Sequence, residues 1–458
     1  MTARYGPLTI DREPVDAATL RRLADDAAAA VPPMAAGDTL ACASDDPLTV
    51  LVTVLAARST GVPVMLGDAP FGGAADAPRV GARLLVRSGK VEAHRNPEPT
   101  GTPVPEETAV VFWTSGTSGE PKAVLHHAAA MDYQARATAE RLAIAKDDGL
   151  LLPLPLTHSY GHSVMLTWLR SGAALHVQNG FRAEPVARAL LEDGVTTLDG
   201  VPTSYVLLLR MARSDPDLRR ALASLRVRGC GGDVLPEPFA ERFLRDVGAP
   251  LHDGYGLTEA GPNVAIGSPS DHKAGTVGRP LPGTRVRIDG ETGETGEVLV
   301  RSPSLMIGYL GAPGDAPSGL DGDGWLRTGD AGAVEPGGHL RILGRRKETI
   351  IVHGETFPPE TLESALDSCP GVKASGVVGL HTGRPQGDHI IAFVETCTGV
   401  GGAEEERRVR EAGAAVLPPQ FVPRRVMVVP ELPRLRSQKM DRRRLRRLAE
   451  AIEREPRP

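Results

Sequence analysis

The stretch Val111-Phe-Trp-Thr-Ser-Gly-Thr-Ser-Gly-Glu-Pro-Lys-Ala-Val-Leu125 constrains the fold of this chain more than any other. An apolar run breaks into small hydroxyl residues and glycines, ends on a lysine and turns apolar again. It reads as a strand feeding a phosphate-holding loop. Thr114, Ser115, Thr117 and Ser118 carry hydroxyls that can donate to phosphate oxygens, Gly116 and Gly119 permit close backbone approach, and Lys122 adds a positive charge. ATP is the first ligand such a loop suggests. In the P-loop of nucleotide hydrolases the lysine directly follows a glycine and precedes Ser or Thr, whereas here Glu120 and Pro121 intervene. That spacing disfavours an ordinary Walker-type enzyme. A Ser/Gly-rich surface turn has the same composition, so the remainder of the chain has to decide.

Four further segments bear on the choice. Leu152-Pro-Leu-Pro-Leu-Thr-His158-Ser-Tyr-Gly161 is proline-rich and ends in His and Gly. Gly229-Cys-Gly-Gly-Asp-Val-Leu-Pro236 is followed by Leu251-His-Asp-Gly-Tyr255-Gly-Leu-Thr258-Glu259. Next come Gly324-Trp-Leu-Arg-Thr328-Gly-Asp330 and Gly344-Arg345-Arg-Lys347-Glu-Thr-Ile-Ile. The last is Leu432-Pro-Arg-Leu-Arg-Ser-Gln-Lys439-Met-Asp-Arg. With the phosphate loop, these segments resemble, in order, the signature motifs of the adenylate-forming superfamily: acyl- and aryl-CoA synthetases, firefly luciferase and the adenylation domains of peptide synthetases. The resemblance spans residues 111–442. It is strongest to stand-alone ligases that activate acyl or aryl acids.

The resemblance implies a division of labour. Thr114 to Gly119 and Lys122 would hold the ATP phosphates; Gly231, Gly232, Asp233, Tyr255 and Gly256 would hold adenine; Asp330 would hold the ribose; and Arg345 would add a bond to the ribose or the phosphates. Asp330 suits that task because a carboxylate offers two acceptor oxygens. Glu259 matches the family's Mg²⁺ ligand, although a carboxylate at a helix start is also ordinary. Thr258 would bond the α-phosphate. Lys439 would bring charge to the transition state of acyl-AMP formation, with Gln438 in place of the usual glycine. Its alternative is one more cation in a basic tail, for residues 434–458 hold ten Arg or Lys against four Asp or Glu. His158, Ser159, Cys230 and Gly254 are candidates for the acyl pocket, with simple packing an equal alternative for Cys230. His158 also joins the catalytic set with Thr258, Glu259 and Lys439.

The acid is partly legible. Peptide-synthetase domains for α-amino acids resemble one another in an Asp that holds the ammonium group, and Ser159 stands where that Asp would be. A buried ammonium without a carboxylate is costly, so an aryl or acyl acid is expected and an α-amino acid is not. The hinge around Lys347 resembles that of acyl-CoA synthetases, which implies transfer of the acyl group to the thiol of CoA or of a separate phosphopantetheine-bearing carrier protein. Transfer to an amine or hydroxyl, or a degenerate homologue that binds without turnover, are the alternatives. Intact Lys122, Glu259, Asp330, Arg345 and Lys439 count against the second.

Composition agrees. Hydrophobic content of 41% and charged content of 24% are globular values, and a net charge of −5 gives no reason to expect nucleic acid or membrane as a partner. No apolar run approaches the length of a transmembrane helix and Met1-Thr-Ala-Arg-Tyr lacks a signal-peptide core, so a cytoplasmic protein is expected. The four cysteines are scattered, which argues against disulfides and zinc. His158 and His162 have the spacing of a helical metal pair, but Ser159-Tyr-Gly161 between them reads as loop.

Strand-like and Ala/Leu/Arg-rich helical runs alternate over residues 38–250, a short-stranded β-rich stretch covers 273–345, and α/β character returns after Lys347. The expected fold is α/β: a large N-terminal unit, residues 1–346, of parallel α/β subdomains with a small β-rich subdomain, followed by a small mobile α+β unit, residues 347–458, that carries Lys439.

Overall fold

The computed structural model describes residues 5–42, 44–66, 78–99, 101–114, 122–290, 295–310, 320–345, 350–352, 355–357, 359–381, 388–397, 399, 401–434 and 440–454. The fold is mixed α/β with largely parallel sheets. A seven-stranded sheet has Val110–Thr114, Val64–Leu66, Thr39–Cys42 and Val80–Arg87 as its parallel centre. Lys122–His126 and Lys90–Arg95 pair antiparallel at its two sides, and Gly308–Tyr309 adds the last rung. A nine-stranded sheet runs parallel through His252–Gly256, Val227–Cys230, Thr197–Gly200, Gly149–Leu152, Ala174–Val177 and Leu8–Ile10.

Helices fill the space between these sheets. The helix Pro47–Thr60 is buried continuously from Thr49 to Ala57, with Asp46 capping its start and Gly61 in the left-handed conformation ending it. It shares one core with Leu20, Leu23, Met165 and Trp168, and that core reaches strands of both sheets. The other face of the nine-stranded sheet is covered by Ala183–Glu192, Pro202–Ala212, Pro216–Ser224 and Glu237–Val247, whose Leu190, Leu208, Leu218 and Phe243 pack on Leu151, Leu198 and Cys230. The stretch expected to be β-rich forms an antiparallel sheet of Arg285–Asp289, Gly296–Arg301, Leu326–Val334 and Leu340–Arg345.

Beyond Ile350 the chain builds its own apolar cores. Val372–His381 and Asp388–Thr396 pair antiparallel and Arg425–Val428 adds parallel, with helices Pro359–Asp367, Ala403–Val416 and Arg442–Arg454 packed against them. Arg442 is fastened there by Glu360 and Glu363 at 2.7 and 2.6 Å. The expected boundary at Lys347 lies outside the described residues. No helix among the described residues is long and apolar enough to cross a membrane.

One local expectation is corrected. Ser159, Tyr160 and Gly161 are the first turn of the helix Ser159–Ser171 and not a loop. His158 caps that turn, its Nδ1 accepting from the Tyr160 amide at 3.3 Å, while His162 is buried edge-on to Phe112. Helical spacing therefore exists, but each imidazole is committed elsewhere, and burial holds His162 down to about 3.

Candidate active site

A cleft of about 2870 Å³ gathers the sequence motifs. Its walls are strand ends of the nine-stranded sheet, the start of the helix Ser159–Ser171, the β-rich subdomain and the beginning of the last helix. Ligands of open α/β sheets bind outside the carboxyl ends of strands, and this cleft has that position.

The phosphate-loop flanks come first. Val110–Thr114 and Lys122–His126 form a hairpin in which Thr114 faces Lys122, so both ends of the loop enter the cleft together. Ser115, Gly116, Thr117, Ser118 and Gly119 lie outside the described residues. The Lys122 ammonium lies 4.5 Å from the centre of the Tyr309 ring. Tyr309 Oη in turn donates to Glu259 Oε1 at 2.7 Å. Burial, reinforced by the Glu259 charge, raises the Tyr309 phenol well above its usual range and keeps it a donor.

Glu259 stands in the short 3₁₀ turn Thr258–Ala260, directly after the strand His252–Gly256. Thr258 is held from two directions. Its carbonyl accepts from His126 Nε2 at 2.8 Å, which requires that nitrogen to carry the proton, and its hydroxyl lies 3.0 Å from the Ser159 hydroxyl. Burial holds His126 down to about 4, so the imidazole is neutral at pH 7. Gly256 has a steric reason to be glycine, since a Cβ there would sit 1.8 Å from the Pro262 carbonyl oxygen.

Asp330 is 5% exposed and already engaged. Tyr255 Oη donates to Oδ2 at 2.5 Å and Arg345 Nε pairs with Oδ1 at 2.8 Å. Both carboxylate oxygens of Asp330 are thus held in place in the wall of the cleft. Arg345 is also anchored to the Thr328 carbonyl at 3.1 Å. The opposite rim carries Gly231, Gly232 and Asp233, with Gly232 at a φ of +80° where side chains are strained, and Gly254 on the next strand.

Two residues join the site that the motifs did not indicate: Tyr309 and Asp199. Tyr309 belongs to a two-residue strand with no pattern to mark it. Asp199 did leave a signal, as a carboxylate inside the otherwise buried strand Thr197–Gly200. Cys230 is 1% exposed and its side chain belongs to the apolar core with Tyr205 and Phe243, so packing is the role its burial supports. Lys347 and Lys439 lie outside the described residues, but Met440 to Arg444 line the cleft immediately beyond Lys439.

No three-carboxylate or His/Cys metal cage occurs among the described residues. This donor set fits Mg²⁺, which is commonly held by one or two carboxylates together with substrate phosphates, and Glu259 faces the cleft as such a carboxylate.

The family model described as AMP-binding enzyme matches residues 34–310, and that for the AMP-binding enzyme C-terminal domain matches residues 361–439. The chain is 31% identical over 350 residues to a 2-succinylbenzoate–CoA ligase of Geobacillus sp. (strain WCH70), covering 75% of this chain and 69% of that protein. It superposes on o-succinylbenzoate CoA synthetase (MenE) from Bacillus subtilis, solved in complex with the acyl-adenylate intermediate OSB-AMP, with a TM-score of 0.81 at 26% identity, over 99% of this chain and 96% of that one. The amide bond synthetase McbA from Marinactinospora thermotolerans gives a TM-score of 0.78 at 26% identity, over 96% of both chains.

Proposed function

The chain belongs to the AMP-binding enzyme family, and from that premise we propose that it is an AMP-forming acid–thiol ligase which activates an aryl or acyl carboxylic acid, not an α-amino acid, and passes it to the thiol of coenzyme A. The observation that carries this reading is the convergence of Lys122, Thr258, Glu259, Asp330 and Arg345 on one cleft, although more than two hundred residues of sequence separate the first from the last.

Acyl-AMP formation requires one anion, the carboxylate, to attack another, the α-phosphate. Fixed geometry and positive charge together lower that barrier. Asp330 orients the ribose, with Tyr255 and Arg345 holding its carboxylate still. Thr258, steadied by His126 and Ser159, presents its hydroxyl toward the α-phosphate. Lys122 and the loop before it hold the outgoing pyrophosphate, and Lys439 delivers an ammonium between the two anions. Mg²⁺ on Glu259 would neutralise phosphate charge. Ser159 offers no counter-charge to an α-ammonium, which supports the exclusion of α-amino acids.

The acceptor is read from relatives and charge. Arg443, Arg444, Arg446 and Arg447 are exposed, line the mouth of the cleft and have no ion-pair partner among the described residues. Such a cluster suits a phosphate-bearing thiol such as CoA, and would also attract an acidic carrier protein. The likeness to an amide bond synthetase supports a second reading in which an amine takes the acyl group. One assay separates these: acid-dependent pyrophosphate exchange over a carboxylate library, then mass analysis of products formed with CoA, with carrier proteins and with amines. A CoA thioester is expected. An amide formed in preference to any thioester would select the second reading.

A further inference from the structure

The strand Thr197–Gly200 places a carboxyl group in an apolar layer. Asp199 is 9% exposed, faces the cleft and receives a hydrogen bond at Oδ1 from Tyr160 Oη at 3.0 Å. No cation among the described residues pairs with it, and burial pushes its carboxyl up to about 6. The neighbouring strand leaves room for the pair. A Cβ on Gly229 would stand 2.7 Å from Asp199 Oδ1, and one on Gly231 would stand 3.3 Å from the Tyr160 ring. A carboxyl buried against a single phenol destabilises the fold, and an apolar residue at this position would not.

The position relative to the chemistry is also given. Tyr160 follows Ser159, whose hydroxyl touches that of Thr258 at 3.0 Å. The first turn of one helix thus connects the end of the cleft that holds Thr258 and Glu259 to the carboxyl of Asp199. A carboxylate offers about four lone-pair positions, of which Tyr160 takes one.

We propose that Asp199, oriented by Tyr160, accepts a hydrogen bond from a hydroxyl or amino group that the acid substrate carries at the end remote from its own carboxylate. This names the substrate class of the same site and rests on the acid-activation reading. The role is one of specificity: Asp199 touches the substrate far from the reacting atoms and takes no part in phosphoryl chemistry.

The test is pyrophosphate exchange with matched aryl and alkyl acids that differ only at the far end, bearing hydroxyl, amino, methyl or hydrogen. In the wild-type protein the hydroxyl or amino member of the best series should exceed its methyl counterpart in kcat/KM by at least about tenfold. Asp199→Leu should remove or reverse that preference. Asp199→Asn, which keeps the shape, should retain the hydroxyl acids and lose the amino acids of the series. It also serves as the deciding variant should the leucine substitution fail to fold. Equal or better use of the methyl acids by the wild type, or an unchanged preference in Asp199→Leu or an unchanged amino preference in Asp199→Asn, overturns the inference and leaves acid activation standing. Exchange with no acid at all would overturn both.

Discussion

Tyr309 Oη donates a 2.7 Å hydrogen bond to Glu259 Oε1, and its ring lies under the Lys122 ammonium at 4.5 Å. One aromatic side chain thus ties the carboxylate assigned to Mg²⁺ to the lysine assigned to phosphate. The hydrogen bond fixes Glu259 by one oxygen and leaves the other for a cation. Tyr309→Phe keeps the ring and removes the donor, so Glu259 loses its orientation but not its charge. The expected result is a Mg²⁺ requirement raised about tenfold, with stability lowered by about 1 kcal/mol. A Mg²⁺ titration of exchange activity checks the first, and urea unfolding the second.

Glu259→Gln removes the charge itself. An amide is a poor ligand for a hard cation, so activity at low Mg²⁺ should fall further than in Tyr309→Phe and recover only in part at high Mg²⁺. Identical Mg²⁺ curves for Glu259→Gln and wild type would take Glu259 out of the metal site.

Asp199 carries a stability prediction with a definite sign. Burial raises its carboxyl from 3.8 to about 6 in the folded protein. The neutral form is therefore favoured by folding, and its contribution is present below pH 4 and lost as pH rises through about 6. The loss at pH 8 is on the order of 3 kcal/mol. Asp199→Asn does not ionise, so its thermal stability relative to wild type should improve between pH 4 and pH 8. Paired melts across that window measure it, and a constant difference would mean that Asp199 stays ionised throughout.

Much of the site is legible in sequence because its parts are local. Tyr255, Thr258 and Glu259 sit within five residues, and one strand and the short 3₁₀ turn after it position all three. The α/β class is legible for a similar reason, since alternating strand and helix periods specify parallel sheets. Contacts made by tertiary structure left less trace. Tyr309 reaches Glu259 across fifty residues from a strand of only two. The loop expected at Ser159–Gly161 is a helical turn because His158 caps it, and a histidine is not among the residues that usually signal a helix start. Cys230 sat within a motif, yet strand alternation turns its side chain to the core and leaves Asp199, one strand away, facing the cleft.

The central claim is that this protein joins an acid to AMP, and acid-dependent exchange of labelled pyrophosphate into ATP tests it most directly. Exchange should require an aryl or acyl acid, should be absent with α-amino acids, and should fall by several kcal/mol of transition-state stabilisation, at least about a thousandfold, in a folded Lys439→Ala variant. Hydrolysis of ATP to ADP without any acid, efficient exchange with an α-amino acid, or near-normal exchange in Lys439→Ala would contradict the account.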